Sequence, residues 1–385
     1  MALDTDSILA WGHCSEGQCE TPAPNKDFIA LDGGVMYSLG LKVDGSIVAW
    51  GYNSDGQCDV PAPNADFIAL AGGGAHSLGL RADGTIVAWG DNAEGQCDVP
   101  APNTDFIALA AGDRHSLGLT AHGRIIAWGL NSLGQCDVPE PNEQFVALAA
   151  GFLFSLGLRA DGSIVAWGWN QLGQCDIPFP NSDFVALSVD QFHSLGLKAD
   201  GSILAWGSNS SGQCNVPEPN TDFMAIAGGG FHSLGLKADG SIVAWGDNAN
   251  GQCEIPELNS GFVVVAASSY TSLGIIRPST AVDEGDAVRI FPNSLSIRSV
   301  FPNPFNPSTT ISFDTRAAGP LSLAVYDISG RRVSWRALGT LAAGSHQVSW
   351  DGLNADGLPA ASGCYFLQLR NASGDVQNRK CLLIR

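Results

Sequence analysis

The chain has 385 residues, 38 of them Asp or Glu against 19 Lys or Arg, for a formal net charge of −19. That field repels phosphate backbones and anionic membranes, which argues against a nucleic-acid partner. A charged fraction of 15% with 45% hydrophobic content excludes a disordered chain or a coiled coil, and the longest wholly apolar run, FVVVAA at 262–267, is far short of the roughly 20 residues of a membrane helix.

The sequence opens on MALDTDSILAWG, which has neither a basic n-region nor a signal-type apolar stretch and so reads as carrying no export signal. From there the text repeats. Trp11, Trp50, Trp89, Trp128, Trp167, Trp206 and Trp245 recur every 39 residues, and Cys19 to Cys253 and Phe28 to Phe262 keep the same period. One unit reads FIALAAG, HSLGLKADG, SIVAWGDN, GQCDVP and then a PxPN loop. The first three pieces are short, rich in apolar and β-branched residues, and bounded by Gly, Asn or Asp, which is the signature of strands. Asp-Gly pairs starting at 44, 83, 161, 200 and 239 sit between two such runs, where a tight hairpin needs positive φ. With GQC counted as a fourth strand, each unit is expected to hold four short antiparallel strands.

Such a unit cannot bury both faces alone, whereas seven arranged radially can, and they protect their sheet edges in doing so. The first AWG has no SLGL before it, and the last strand of that type, SLGI at 272–275, has no AWG after it. The two halves complete one blade. The prediction is therefore an all-β chain whose residues 1–277 form a seven-bladed β-propeller, closed by pairing of the N-terminal strand with the strand around Ser272.

Charge marks the end of the repeats. Residues 1–279 hold 30 acidic against 9 basic side chains, and residues 280–385 hold 8 against 10. Residues 278–296 read as a linker. Residues 297–385 carry PNPFNPSTTISF, VYDISGRRV, GSHQVSWDG and SGCYFLQLR, about seven strands with turn punctuation, which suits a small Ig-like β-sandwich.

Candidate chemistry is sparse. Neighbouring positions in a sevenfold ring can form a disulfide only at a radius of about 8 Å or less, since the Cα atoms must lie within about 7 Å. A fourth strand lies beyond about 14 Å from the axis, so the repeated cysteines are expected to be small buried thiols. Cys14, present in the first unit only, could pair with Cys19 in a loop. Cys364 and Cys381 face each other if their turn centres on Ala372 and Ser373, and are either a cross-strand disulfide or two free thiols. His76, His115, His193 and His232 are each followed by Ser, but adjacent strand residues point to opposite faces, so no dyad forms within one repeat. Tyr37, Phe154 and Thr271 take the same position elsewhere, which favours a structural role. The acids after the cysteines, from Glu20 and Asp59 to Glu254, read as a solvated rim. No zinc spacing appears, and no catalytic residue, metal or cofactor is expected.

What varies between repeats is more informative, because fixed positions build the blade and free ones can be tuned. The residue before the His position includes Met36, Arg114, Leu153, Phe192, Phe231 and Tyr270, and the residue after AWG includes Tyr52, Leu130 and Trp169. Both sets lie where strands meet loops. These nine residues are the candidate protein-binding face.

The run HSLGL, DGxIxAWGxNxxGQ, VP and FxALAAG resembles the repeat of the regulator of chromosome condensation family, and its 39-residue length and GQxxVP ending resemble the beta-lactamase inhibitor protein II type of secreted seven-bladed propeller. In that type the position before the His is a recurrent aromatic that contacts an enzyme bound on one face, and the resemblance carries this role onto the nine residues. The NPFNPSTTISF, VYDISGRRV, GSHQVSWDG and SGCYFLQL blocks resemble the type IX secretion C-terminal sorting domain and the Ig-like domain of flagellar hook-capping proteins, which implies export. The expectation is a monomeric, non-enzymatic, extracellular or cell-surface propeller that binds an unidentified protein partner, with no membrane span. The alternatives are a polysaccharide-acting propeller enzyme, which would need carboxylates converging in the central channel rather than on turns and outer strands, and a purely structural surface protein.

Overall fold

The computed structural model describes residues 6–257, 259–277, 295–301, 308–315, 318–327, 332–355, 357–358, 360, 363–371 and 376–383. Among them every regular element is a strand. The chain divides into two compact units, residues 1–280 and 281–385.

The first unit is built of seven three-stranded antiparallel sheets. In the first complete repeat these strands are Phe28–Gly34, Tyr37–Lys42 and Ile47–Gly51, and the pattern recurs over 67–90, 106–129, 145–168, 184–207 and 223–246. The seventh sheet takes Phe262–Ala267 and Thr271–Ile276 from the end of the repeats and Ser7–Gly12 from the start, with Ser7 opposite Ile276 and Gly12 opposite Thr271. That is the closure the half-repeats predict. The first strand of each sheet touches the first strand of the next around an unbroken ring, so these strands are innermost.

Each blade has three strands where four were expected, and the reason is local. In the GQC segment, side chains satisfy the backbone that a ladder would need: Asp55 N donates to Gln57 Oε1 at 3.0 Å, and Cys58 N donates to Asn53 Oδ1 at 2.8 Å. The segment is a turn. Its main chain instead joins blades, because the Gln57 carbonyl accepts from Trp89 Nε1 at 2.9 Å and from Ser77 Oγ at 2.9 Å, both of the next repeat. All seven tryptophans of the AWG strands make this bond, ending with Trp11 Nε1 to Gln252 O at 3.0 Å across the closure.

The PxPN loop closes the outer edge. Ile47 N donates to Asn64 Oδ1 at 2.8 Å while Asn64 Nδ2 donates to Ile47 O at 2.7 Å, so one amide side chain takes the place of a strand partner. The same clamp recurs in every blade, as at Asn103 on Ile86, and it covers edges that would otherwise pair with other chains. The core lies between blades: Leu78, Leu80 and Ile86 pack with Phe106 and Trp128 of the next repeat. Each fully buried Leu or Phe contributes about 1.5–3 kcal/mol. The glycine of SLGL is dictated by this packing, since a Cβ on Gly79 would stand 2.5 Å from the Phe67 ring.

The second unit has two antiparallel sheets. Leu295–Phe301, Thr309–Thr315 and Gly344–Trp350 form one, and Arg332–Leu341, Gly319–Asp327, Gly363–Asn371 and Val376–Leu383 form the other. Ile297, Ile311, Phe313, Leu323, Val325 and Leu367 lie in the core between them. Of the expected linker, residues 278–294 lie outside the described residues, and Leu295 already begins a strand.

The direct facing expected of Cys364 and Cys381 is corrected. Cys381 stands opposite Tyr365, and Cys364 stands opposite Leu382. The backbone register is therefore one residue away from direct pairing. The disulfide among the described residues is instead Cys14–Cys19, with Cα atoms 5.2 Å apart.

Candidate functional site

The two variable positions of each repeat are direct neighbours. The residue after AWG donates its backbone N–H to the carbonyl of the residue before the His position: Tyr52 to Met36 at 3.0 Å, Leu130 to Arg114 at 2.8 Å, Trp169 to Leu153 at 2.9 Å. Ser208, Asp247 and His13 pair in the same way with Phe192, Phe231 and Tyr270. One rule of local pairing therefore gathers all nine candidate residues at one end of the blades. Tyr52 and Arg114 are exposed and the other seven half-buried.

Around half of that rim the side chains form a continuous aromatic arc. Phe152 and Phe192 have ring centroids 5.6 Å apart, Phe192 and Phe231 5.5 Å, and Phe231 and Tyr270 6.2 Å in a stacked arrangement. Trp169 meets Phe192 edge-on at 6.2 Å, and His13 meets Tyr270 at 6.3 Å. Each ring is held by the next, so the arc is preorganised and only half withdrawn from solvent. On the other half of the rim, Met36, Tyr52 and Arg114 border a depression of about 300 Å³ with Asp91 and Asp113. Arg114 is 3.8 Å from Glu94 and 3.7 Å from Asp113. The face thus pairs an aromatic half with a polar, mainly acidic half. Leu130 and Leu153 lie between the two.

The structure adds three residues that pattern reasoning missed. Phe152, directly before Leu153, extends the arc. Asp32 and Asp190 sit on or at the end of innermost strands, which corrects the expectation that acids occupy turns and outer strands only. Burial raises the Asp32 carboxyl to about 6, although Gly72 N and Gly33 N donate to it at 3.0 and 2.9 Å. Burial holds Asp190 well above the usual carboxylate range, with the charges of Asp32 and Asp113 acting in the same sense. The readable signal was departure from small residues: Asp32 replaces the alanine of Ala71, Ala110, Ala149, Ala227 and Ala266, and Asp190 the glycine of Gly34, Gly73, Gly112, Gly151 and Gly229.

The histidines form Ser pairs, but between blades and in an inert sense. His76 Nε2 lies 2.9 Å from Ser116 Oγ, and the Ser116 hydroxyl donates to Gln96 O at 2.8 Å. The single hydroxyl proton is committed, so the histidine donates and cannot act as base toward that serine. The same pairs occur at His115–Ser155, His193–Ser233 and His232–Ser272. Burial pushes these four imidazoles down to about 4, 3, 3 and 4 in the order His76, His115, His193, His232. The thiols of Cys58, Cys97, Cys136, Cys175, Cys214 and Cys253 are half-buried, and burial pushes them up to about 11 or 12, which makes them poor nucleophiles. Asp59 and its counterparts are engaged locally, as in Asn53 Nδ2 to Asp59 Oδ1 at 2.9 Å. Among the described residues no group of three or more His, Cys, Asp or Glu is placed to hold a metal ion.

Known proteins resemble both units. The model of the regulator of chromosome condensation (RCC1) repeat matches residues 67–96, 106–135, 145–174, 188–213 and 225–252, and that of the FlgD Ig-like domain matches residues 302–375. Prp20p of Saccharomyces cerevisiae is similar in structure at 18% identity, over 73% of this chain and 93% of that one, with a TM-score of 0.60. Human WBSCR16 is similar at 17% identity, over 71% and 99%, with a TM-score of 0.58. The CRINKLY WD40 ectodomain of the Arabidopsis thaliana receptor kinase ACR4 is similar at 25% identity, over 66% and 95%, with a TM-score of 0.52. No curated protein matches the chain. The innermost ring, the blade-to-blade tryptophan bonds and these matches agree: the chain carries regulator of chromosome condensation repeats across residues 67–252 and a FlgD Ig-like domain at residues 302–375.

Proposed function

We propose that this chain is a non-enzymatic, exported or cell-surface propeller that binds a protein partner through the end of the blades carrying the aromatic arc, with the Ig-like unit serving export or anchoring. The observation that carries this reading is the arc itself. Five adjoining aromatic rings, Phe152, Trp169, Phe192, Phe231 and Tyr270, are half exposed at one rim, and aromatic clusters of this kind supply the anchors of protein interfaces. Prp20p, a protein of the same fold, binds Gsp1p and histones, a precedent for protein partners on this architecture. The Cys14–Cys19 disulfide fits an oxidising compartment.

Around Asp190 the cavity holds only about 30 Å³, too small for a sugar ring, so this carboxylate lends no support to catalysis on a polysaccharide. The test is capture of a partner from the secretome of the producing organism, followed by affinity measurement with Phe231→Ala and Tyr270→Ala. Unchanged affinity in both would place the binding surface elsewhere.

A further inference from the structure

Among the described residues Asp190 is the one acid with a buried side-chain oxygen that has no hydrogen-bond partner. Asp32 receives two backbone N–H donors, and Asp113 has Arg114 beside it. The Asp190 carboxyl receives the Gln191 backbone N–H, but its Oδ2 is shut off from solvent and has no hydrogen-bond partner, although the residue as a whole is only half-buried. A buried carboxylate oxygen left without a donor is costly. Five of the other six repeats keep glycine at this position and one keeps Ser268, so the blade itself does not require the acid.

The surroundings restrict what could supply the donor. Asp190 lines a cavity of about 30 Å³ with Asp113, Phe152, Gln191, Gly112 and Gly151, and Phe152 is the first ring of the aromatic arc. Two carboxylates exclude an anion. The volume admits a head group about the size of a water molecule, which suits a compact ammonium better than a planar guanidinium. An aromatic wall beside it accommodates both the charge and an alkyl stem.

We propose that the mouth of the central channel receives the ammonium group of a lysine side chain of the protein partner, taken up by Asp190 beside Asp113 and Phe152. The inference rests on the protein-binding reading above and deepens it. The arc then provides apolar anchoring, and Asp190 selects a lysine at a fixed distance from it.

The test uses the full chain and the tripeptide Lys-Lys-Lys, with its termini blocked, as the probe in an NMR titration. Asp190→Gly, which restores the residue of five other repeats and so does not endanger folding, should weaken binding at least tenfold. Asp44→Asn removes the same charge from an exposed hairpin turn and should change it less than twofold. Equal weakening by both variants would reduce the effect to the general acidic field and overturn the proposal, as would the lack of saturable binding to the unmodified chain. The face reading fails on a separate readout, partner affinity in Phe231→Ala and Tyr270→Ala.

Discussion

Asp6 Oδ1 accepts from Arg277 Nε at 2.6 Å, with Nη2 also 2.6 Å away, across 271 residues of sequence. The pair sits at the two ends of the propeller, where Ser7–Gly12 completes the sheet of Thr271–Ile276. Two further bonds reinforce the seam: His13 N donates to Tyr270 O at 2.9 Å, and Thr271 Oγ1 donates to His13 O at 2.8 Å. Closure is thus a ladder flanked by side-chain bonds.

Removing residues 1–13 should leave Thr271–Ile276 with an open edge that promotes aggregation. The thermal midpoint should fall by several degrees, and size-exclusion chromatography should show oligomers. Asp6→Ala alone, which spares the ladder, should cost about 1 kcal/mol or less, as half-exposed ion pairs do. A deletion variant as stable and monomeric as the full chain would show that the ring holds without its terminal strand.

The buried histidines set an acid limit. Each is held neutral well below its ordinary value of about 6.5, so below that pH the unfolded chain takes up protons that the folded chain refuses. Stability is therefore complete above about 6.5 and is lost as pH falls toward the folded values of about 3 to 4. Asp32, Asp113 and Asp190, all raised, act in the opposite sense over the acid range, so a single histidine is best isolated by difference. His115→Phe copies Phe154, the natural residue of the next repeat. Urea denaturation at pH 7 and pH 5 should show the variant losing about 2 kcal/mol less than the unmodified chain between the two. An equal loss would mean that His115 titrates normally in the fold.

The legible part of this protein is what repeats. The 39-residue period, the half-repeats at either end and the outward variable positions all follow from comparing units, because each unit is solved the same way. The GQC segment is a turn and not a fourth strand because the Gln57 and Asn53 side chains take its backbone donors, which the repeat pattern alone does not reveal. Cys364 and Cys381 missed by one register step, which turn residues alone do not fix. Asp190 breaks a glycine position on the innermost strands, a signal that is visible only once those strands are known to line the channel.

Cys14 is a second such departure. In the other six repeats asparagine stands there, and its Oδ1 accepts the backbone N–H of the following cysteine, as in Asn92 and Cys97 at 2.8 Å. In the first repeat the Cys14–Cys19 disulfide holds the same turn covalently. Cys14→Asn should rebuild the hydrogen-bonded bracket and keep stability within about 1 kcal/mol, while Cys14→Ala, with neither device, should cost more. Equal destabilisation by both substitutions would show that the disulfide does something the asparagine does not.

The aromatic arc separates a binding role from a packing role by magnitude. Phe231 touches Phe192 on one side and Tyr270 on the other, so truncating it removes ring contacts worth about 0.5–1.5 kcal/mol each. A blade held by Leu234, Leu236 and Ile242, all almost fully buried, should tolerate that. Interface anchors behave differently, since truncating a central aromatic costs about 2 kcal/mol or more of binding energy. With a captured partner, Phe231→Ala and Tyr270→Ala should each weaken binding at least tenfold, about 1.4 kcal/mol, while circular dichroism and the thermal midpoint stay close to those of the unmodified chain. Leu133→Ala, an exposed apolar residue in a GQC turn outside the arc, should leave binding unchanged. If instead the two aromatic variants melt the propeller while affinity per folded molecule holds, the arc is packing and the partner meets another surface.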